Sequence, residues 1–253
     1  MARELEFRVL GNIDVVADGE SVVPTSARQR DLLALLLLDA NITVSSDRLI
    51  DRVWQGKPPP TALAALQVYI AKLRSIMNES PTAAITTVTG GYRFDVDVAT
   101  IDSHQFEQRA LRGRQALLAG SMRTAVETLR PALELWRGDA IGAGPHLEGD
   151  LVEVTRLGEM RSQAQGTLRD AEHGLGRHLE MIPELERLVQ EDPLQERHWA
   201  QLMLALYRGG RQGDALRAYR RAAEALGEEL GIEPGPDLYN LEERILLQDP
   251  TLS

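Results

Sequence analysis

At "DVATIDSHQ", residues 97–105, the hydrophobic pattern of this chain changes for good. Before it, short alternating runs are interleaved with helical ones; after it, every segment carries the helical period. A strand face and a helix stripe bury themselves against different partners, so the change marks a boundary between domains. The chain of 253 residues is long enough for two ordinary cores. The reading is a first domain over 1–97, a linker over 98–104 and an all-α domain over 105–253.

The first part has a definite order. "LEFRVLG", "IDVVADGE" and "SVVP" are β-type runs, with Asp18-Gly19 as a tight turn. "SARQRDLLALLLLDA" follows, a buried leucine helix with Ser26 as its N-cap. "ITVSSDRLIDRVW" predicts a short extended piece and a second helix capped by Ser45 or Ser46, with Leu49, Ile50, Val53 and Trp54 on its apolar face. "QGKPPP" must be a loop, because Pro59 and Pro60 bar the helical conformation from the residues before them. "PTALAALQVYIAKLRSIM" (60–77) is the third helix, and "ITTVTGGYRFDVD" reads as a β-hairpin turning at Gly90-Gly91. Strands, helix, helix, loop, helix and hairpin make a winged helix-turn-helix behind a strand platform.

The second part reads as stacked helix pairs. Trp199, Leu202, the Gly209-Gly210 break, Ala215, Tyr219 and Ala222 follow the tetratricopeptide spacing, with Met203 and Leu206 at variance with it. Gly120, Ala125, Leu129 and Ala132 repeat the frame, and Leu168 and Pro193 keep part of it. Such solenoids present a surface to another protein. The fold class is thus an α+β winged helix-turn-helix followed by an all-α, tetratricopeptide-like repeat domain.

Several chemistries are excluded or unsupported. No cysteine is present, which removes disulfides and thiolate sites and fits a reducing cytoplasm. Phosphate-loop, dinucleotide, zinc-protease and nucleophile-elbow motifs are missing, and the histidines 104, 146, 173, 178 and 198 lie at no metal-ligand spacing. "GGRQG" (209–213) is a helix-pair turn. No catalytic residue, metal or cofactor is expected. "MARELEFRVLG" lacks the apolar core of a secretory signal, and "LLALLLLDA" is about half a bilayer span, so a cytoplasmic, nucleoid-associated protein without membrane contact is expected.

The net charge of −10 argues against nucleic acid only on average. Residues 24–94 hold eight Arg/Lys and five Asp/Glu, whereas from 101 onward 18 oppose 26. On a helical wheel Leu63, Leu66, Ile70, Leu73 and Met77 of the third helix share an arc of about 80°, a core stripe. The other side carries Ala64, Val68, Ala71, Lys72 and Ser75, flanked by Gln67 and Arg74, with no acid between Asp51 and Glu79. Small residues let a helix sit deep in the major groove, where Gln67 suits an adenine edge and Lys72 a guanine. The competing reading is a helix packed on both sides by protein. Thr61 at the helix start faces an anion-binding position; Trp54 is either a phosphate donor or core. Thr89 and Arg93 flank the hairpin turn, a wing position. Arg28 and Arg30 read as backbone-facing or merely exposed.

"DRLIDRVW", "ALQVYIAKLRSIM" and "TVTGGYRF" together resemble the DNA-binding domain of the OmpR/PhoB response-regulator class. "LERLVQEDPLQERHWAQLMLALYRGGRQGDALRAYRRAAEALGEELGIEPGPDLYNLEERIL" resembles a bacterial transcriptional activation domain. The two together are similar to a small member of the Streptomyces antibiotic regulatory protein (SARP) family. The resemblance implies an activator that binds direct repeats in double-stranded promoter DNA near the −35 element. It further implies recruitment of RNA polymerase holoenzyme for biosynthetic gene clusters, through sigma factor and the C-terminal domain of the polymerase alpha chain. Gln67, Val68, Lys72 and Arg74 match the DNA-facing positions of that pattern, and Trp54 a phosphate-contacting tryptophan. Gln67 stands where aspartate is common, and the wing turn is one residue shorter than usual. With no receiver domain ahead of the strands, control by aspartyl phosphorylation is not expected. Direct repeats imply a second protomer side by side, in head-to-tail contact if the two touch. A repressor on similar DNA and a repeat scaffold without DNA binding are the rival classes.

Overall fold

The computed structural model describes residues 4–22, 24, 26–78, 80–140 and 151–252. His146 lies outside them. By internal contacts the chain forms two compact units: Met1–Arg112 with Thr128–Ala164, and Gly113–Glu127 with Gln165–Ser253.

In the first unit, β1 (Leu5–Arg8), β2 (Asp14–Ala17) and β3 (Glu20–Ser21) form an antiparallel sheet in that order. The Ala17↔Glu20 pairing leaves Asp18-Gly19 as a two-residue turn, with φ of 52° and 87°, the double left-handed turn that matches strand twist. Helix α1 (Ala27–Leu38) follows, with every residue from Leu32 to Leu37 buried. That explains its continuous leucine run: it has no solvent face in its second half, being packed against α2 (Ser46–Trp54), α3 (Ala62–Ile76) and the strand Gly91–Val96. Ser26 caps α1 without a side-chain hydrogen bond, while the Ser45 hydroxyl accepts from the Arg48 amide and caps α2. Strands β4 (Thr43–Ser45), β5 (Ala83–Val88) and β6 (Gly91–Val96) make the second sheet in the order β4-β6-β5. Phe7 and Phe94, both fully buried, meet edge to face at 5.3 Å between ring centroids.

Residues 98–104, read from sequence as a linker, are ordered secondary structure. A 3-10 turn over Val98–Thr100 leads through buried Ile101, which bridges Phe7, into α4 (Asp102–Leu118). The buried Asp102 carboxylate accepts from the main-chain amides of Val9 (2.8 Å) and Leu10 (3.3 Å) and from Arg137 Nη2 (2.8 Å). Arg137 in turn donates its own amide to the Leu10 carbonyl at 2.8 Å. Gly11 permits the approach: its φ is +135°, and a Cβ there would lie 3.0 Å from that of Arg137. The same unit holds the end of α5 (Met122–Leu133) and the start of α6 (Leu151–Gly174), and Trp136 meets Phe106 edge to face at 5.3 Å.

The second unit is built from α7 (His178–Glu191), α8 (Glu196–Arg208), α9 (Gln212–Leu230) and α10 (Pro236–Leu246), with parts of the three preceding helices. Its core gathers Leu185, Trp199, Leu202, Met203, Leu206, Ala215, Ala218, Ala222 and Ile245. The alanines let α8 and α9 approach, and the two residues at variance with the repeat spacing, Met203 and Leu206, are buried fillers. A Cβ at Gly209 would lie 2.6 Å from Cδ2 of the exposed Leu179, which would have to turn aside; Gly210 supplies the left-handed turn at φ +74°.

Two buried histidines make this unit acid-sensitive. Burial, reinforced by the Arg208 charge, holds His173 down to about 4, and burial lowers His198 as well. An unfolded imidazole takes up its proton near pH 6.5, before the folded one does. Stability is therefore complete above pH 6.5 and falls as pH drops toward 4, where the His173 contribution levels off. Thermal melts between pH 7.5 and 4 are expected to show this fall, and His173→Gln to flatten it; identical profiles would refute the assignment.

Candidate nucleic-acid interface

Helix α3 begins at Ala62, with exposed Thr61 as an N-cap that makes no side-chain cap bond, and has no acid in its first turn. Its buried positions are Ala62, Leu66, Ile70 and Leu73, followed by Met77. Leu63, expected in this stripe, is 52% exposed. The stripe starts one residue earlier: Ala62 lies in line with Leu66 and Leu73, and Leu63 falls on its margin at the helix end. The correction enlarges the open face, which now comprises Leu63, Ala64, Gln67, Val68, Ala71, Lys72, Arg74 and Ser75, all exposed. A stripe register begun at Ala62 would have found Leu63 from sequence.

Gln67 and Lys72 make no side-chain hydrogen bond or ion pair among the described residues, so their polar ends project from a small-residue surface. The Ser75 hydroxyl instead donates to the Lys72 carbonyl at 2.7 Å. Arg74 is differently placed from Lys72. Its Nε donates to the Ile85 carbonyl (2.8 Å) and Nη2 to the Thr87 hydroxyl (2.7 Å), tying α3 to the wing strand β5.

The wing turns at Thr89-Gly90, one residue earlier than the Gly90-Gly91 expected from sequence, because Gly91 is already paired with Val88 as the first residue of β6; φ is +81° at Gly90. Thr89 is exposed at the tip. Arg93 Nε donates to Asp95 Oδ1 at 2.6 Å, and Thr86 holds the other carboxylate oxygen at 2.6 Å. The Thr86 hydroxyl first, and Arg93 second, keep the Asp95 carboxyl below its ordinary range, so Arg93 carries a local counter-charge. Gly91 faces the backbone of β4: a Cβ there would run into the Val44 carbonyl oxygen and lie 2.8 Å from Ser45 Cα. Gly91→Ala is expected to break the β4–β6 pairing at this point and cost roughly 1–3 kcal/mol, as overpacking does. Urea unfolding with amide exchange along β6 checks this; unchanged protection of the β6 amides would contradict it.

Trp54 is 6% exposed and stacks on Tyr69 with centroids 6.0 Å apart, while exposed Arg28 lies 5.5 Å over its ring. Its indole Nε1 is buried and has no hydrogen-bond partner among the described residues. Trp54 is thus a core residue that retains an unsatisfied donor. Among the described residues no group of three or more His, Asp or Glu side chains is placed to hold a metal, and no helix is long and apolar enough to cross a membrane.

Fold and site define a winged-helix protein whose third helix is open and acid-free, followed by a helical-repeat module. Residues 19–94 match the family described as "Transcriptional regulatory protein, C terminal", and residues 101–246 the bacterial transcriptional activator domain. Regulatory protein DnrI of Streptomyces peucetius is 35% identical over 97% of this chain and 93% of its own length. Regulatory protein AfsR of Streptomyces coelicolor is 38% identical over 98% of this chain, which spans 25% of that larger protein. The solved structure of Mycobacterium tuberculosis EmbR in complex with a low-affinity phosphopeptide superposes with a TM-score of 0.92 at 35% identity, covering 98% of this chain and 66% of EmbR. The chain belongs to the SARP family of DNA-binding transcriptional regulators.

Proposed function

We propose that the chain is a sequence-specific activator that lays the open face of α3 into the major groove of promoter DNA. The observation that carries this reading is the unpaired, exposed Gln67 and Lys72 on a face of small residues without an acid. In that pose Gln67 hydrogen-bonds an adenine edge and Lys72 donates to guanine O6 or N7. Leu63, Val68 and Ala71 offer apolar contact to thymine methyls, and Ser75 lies at the helix's far end. Thr61 and the α3 N-terminus hold a phosphate, favoured by the helix dipole. Arg28, Thr89 and Arg93 bind backbone, with Arg93 exchanging Asp95 for phosphate. The orphan Nε1 of Trp54 gains a partner if a phosphate oxygen reaches it, relieving a penalty of roughly 1–3 kcal/mol. Arg74 acts as a brace that keeps the wing at a fixed angle to α3, with its exposed edge turned to DNA.

The sites are direct repeats near the −35 element, bound by two protomers side by side. The helical module recruits RNA polymerase through sigma factor and the C-terminal domain of the polymerase alpha chain. The target is a secondary-metabolite gene cluster, the protein works in the cytoplasm on the nucleoid, and it performs no catalysis.

Lys72→Ala is expected to weaken binding to a footprinted promoter site by roughly 1–3 kcal/mol and to relax preference at one base pair. An equal loss on random duplex would instead assign Lys72 to phosphate. For the wild-type chain, log K is expected to fall steeply with log[salt]. A chain that footprints no promoter DNA at any salt concentration would end this reading, and in vitro transcription that is blocked on addition of the protein would make it a repressor.

A further inference from the structure

An open cavity of about 650 Å³ lies within the second unit, where two helix-pair turns meet the chain beyond α10. Its walls come from the end of α6 (His173), the start of α7 (His178), the end of α8 (Tyr207, Arg208), Gln212 of α9 and Gln248 beyond α10. The volume is that of small-molecule sites in general. Gly176 and Gly210 belong to the lining as well, and a Cβ at either would meet nothing within 4 Å, so these stretches of wall are bare backbone.

The polar groups are unusual in kind and in balance. His173 is 4% exposed, and neither of its ring nitrogens makes a hydrogen bond of full geometry among the described residues, although the Gln201 main chain lies close enough to act on the ring; Nδ1 of His178 is likewise buried and unpartnered. Nearly all buried polar groups in folded proteins are satisfied, so two such imidazoles on one cavity call for a ligand or water to complete them. Arg208 is held in place by main-chain carbonyls, with Nε on Leu252 at 2.8 Å and Nη1 on His173 at 3.3 Å. Its Nη2 has no partner among the described residues. No Asp or Glu among the described residues lines the cavity, although acids outnumber bases 26 to 18 from residue 101 onward. At His173 the charge of Arg208 outweighs that of Asp170.

We propose that this cavity is a binding site for a small molecule carrying an oxyanion, either a carboxylate or a phosphate group, seated on Arg208 with His173 and His178 as hydrogen-bonding partners. A fixed guanidinium edge matches the geometry of such anions, and charge-assisted bonds to it are the stronger kind. A neutral imidazole supplies one donor and one acceptor, which suits a hydroxyl or protonated oxygen beside the anionic group. None of these residues takes part in the DNA interface, so the site stands or falls independently of the DNA reading.

The test uses the full chain with isotope-labelled histidine, followed by NMR of the imidazole nitrogens at pH 7.5. Inorganic phosphate and citrate are titrated separately, with sodium chloride at matched ionic strength as the reference. The expected result is a saturable shift of the His173 and His178 signals with at least one of the two anions and not with chloride. Saturation by phosphate alone identifies a phosphorylated ligand, by citrate alone a carboxylate, and by both a general oxyanion site. Arg208→Gln is expected to weaken the saturating anion about tenfold or more, the loss of one charge-assisted contact. Because Arg208 also holds two carbonyls, His178→Ala serves as the second variant, with circular dichroism confirming its fold. Shifts that merely follow ionic strength, or saturation unchanged in a folded His178→Ala chain, would overturn the proposal.

Discussion

Replacing Asp102 by alanine is expected to lower the unfolding free energy of the first unit by roughly 2–6 kcal/mol, chiefly the cost of leaving two buried main-chain amides without their acceptor. Three donors depend on that carboxylate: the Val9 and Leu10 amides and Arg137 Nη2. Two of them are main-chain groups in a buried place, and each left unsatisfied costs roughly 1–3 kcal/mol. Arg137 is a lesser partner, since its side chain is 35% exposed against 7% for Asp102, so solvent takes over part of its role. Arg137→Ala should therefore cost well under half as much. Urea denaturation of both variants, read by tryptophan fluorescence, decides the matter. A loss below about 1 kcal/mol for Asp102→Ala would mean that the amides find water instead. The segment that follows β1, the start of α4 and the residues after α5 share one polar knot. Shortening the chain near residue 104 would leave Asp102 without Arg137.

Ala71→Glu should abolish specific binding while leaving the fold intact. Ala71 is exposed in the middle of α3, between the Gln67 and Lys72 turns, and glutamate is a good helix former there. Substitutions at such surface positions change stability by no more than about 0.5 kcal/mol. In the groove, however, a carboxylate facing base-edge acceptors and flanking phosphates costs several kcal/mol, as like charges do in an interface. A loss of at least about 100-fold in affinity, equivalent to about 2.7 kcal/mol, is expected. Ala71→Gln, of the same size without the charge, should retain most of the binding. Fluorescence anisotropy on a footprinted site, beside a thermal melt, reads both quantities. Binding by Ala71→Glu within threefold of wild type would remove α3 from the groove.

Several features were legible in the residues because their cause is local. Asp18-Gly19 specifies its turn through two residues that tolerate positive φ, and the structure has both there. The spaced alanines of α8 and α9 announce close helix pairing, and Ala205, Ala215, Ala218 and Ala222 are buried contacts of that pair. The exposed, acid-free side of α3 followed from the 3.6-residue period alone, apart from Leu63, where a shift of one residue at the helix end moved a side chain from core to surface.

Other features depend on residues far apart in the chain, and no window of sequence contains them. Arg74 looked like a free cation beside Lys72; Ile85 and Thr87, folded back across it, turn it into a brace. Trp54 was readable as phosphate donor or core, and burial against Tyr69 made it core while leaving its N–H unsatisfied. His173 drew no attention at its spacing, yet the fold buries its side chain and α8 brings Arg208 to its carbonyl.

The sequence by itself determined the order of elements, the helical-repeat register and the small, acid-free face of α3, because propensity, period and turn chemistry act over a few residues. Only the tertiary structure decided which charges remain open. Pairing across the fold occupies Arg74 with the wing, while Lys72, beyond reach of any carboxylate among the described residues, is left to project. The same long-range closure joined Asp102 to Arg137 across 35 residues and left two imidazoles unpartnered beside an arginine. Hydrogen bonding is short in reach and indifferent to chain distance, so it is settled when the chain is folded and not before.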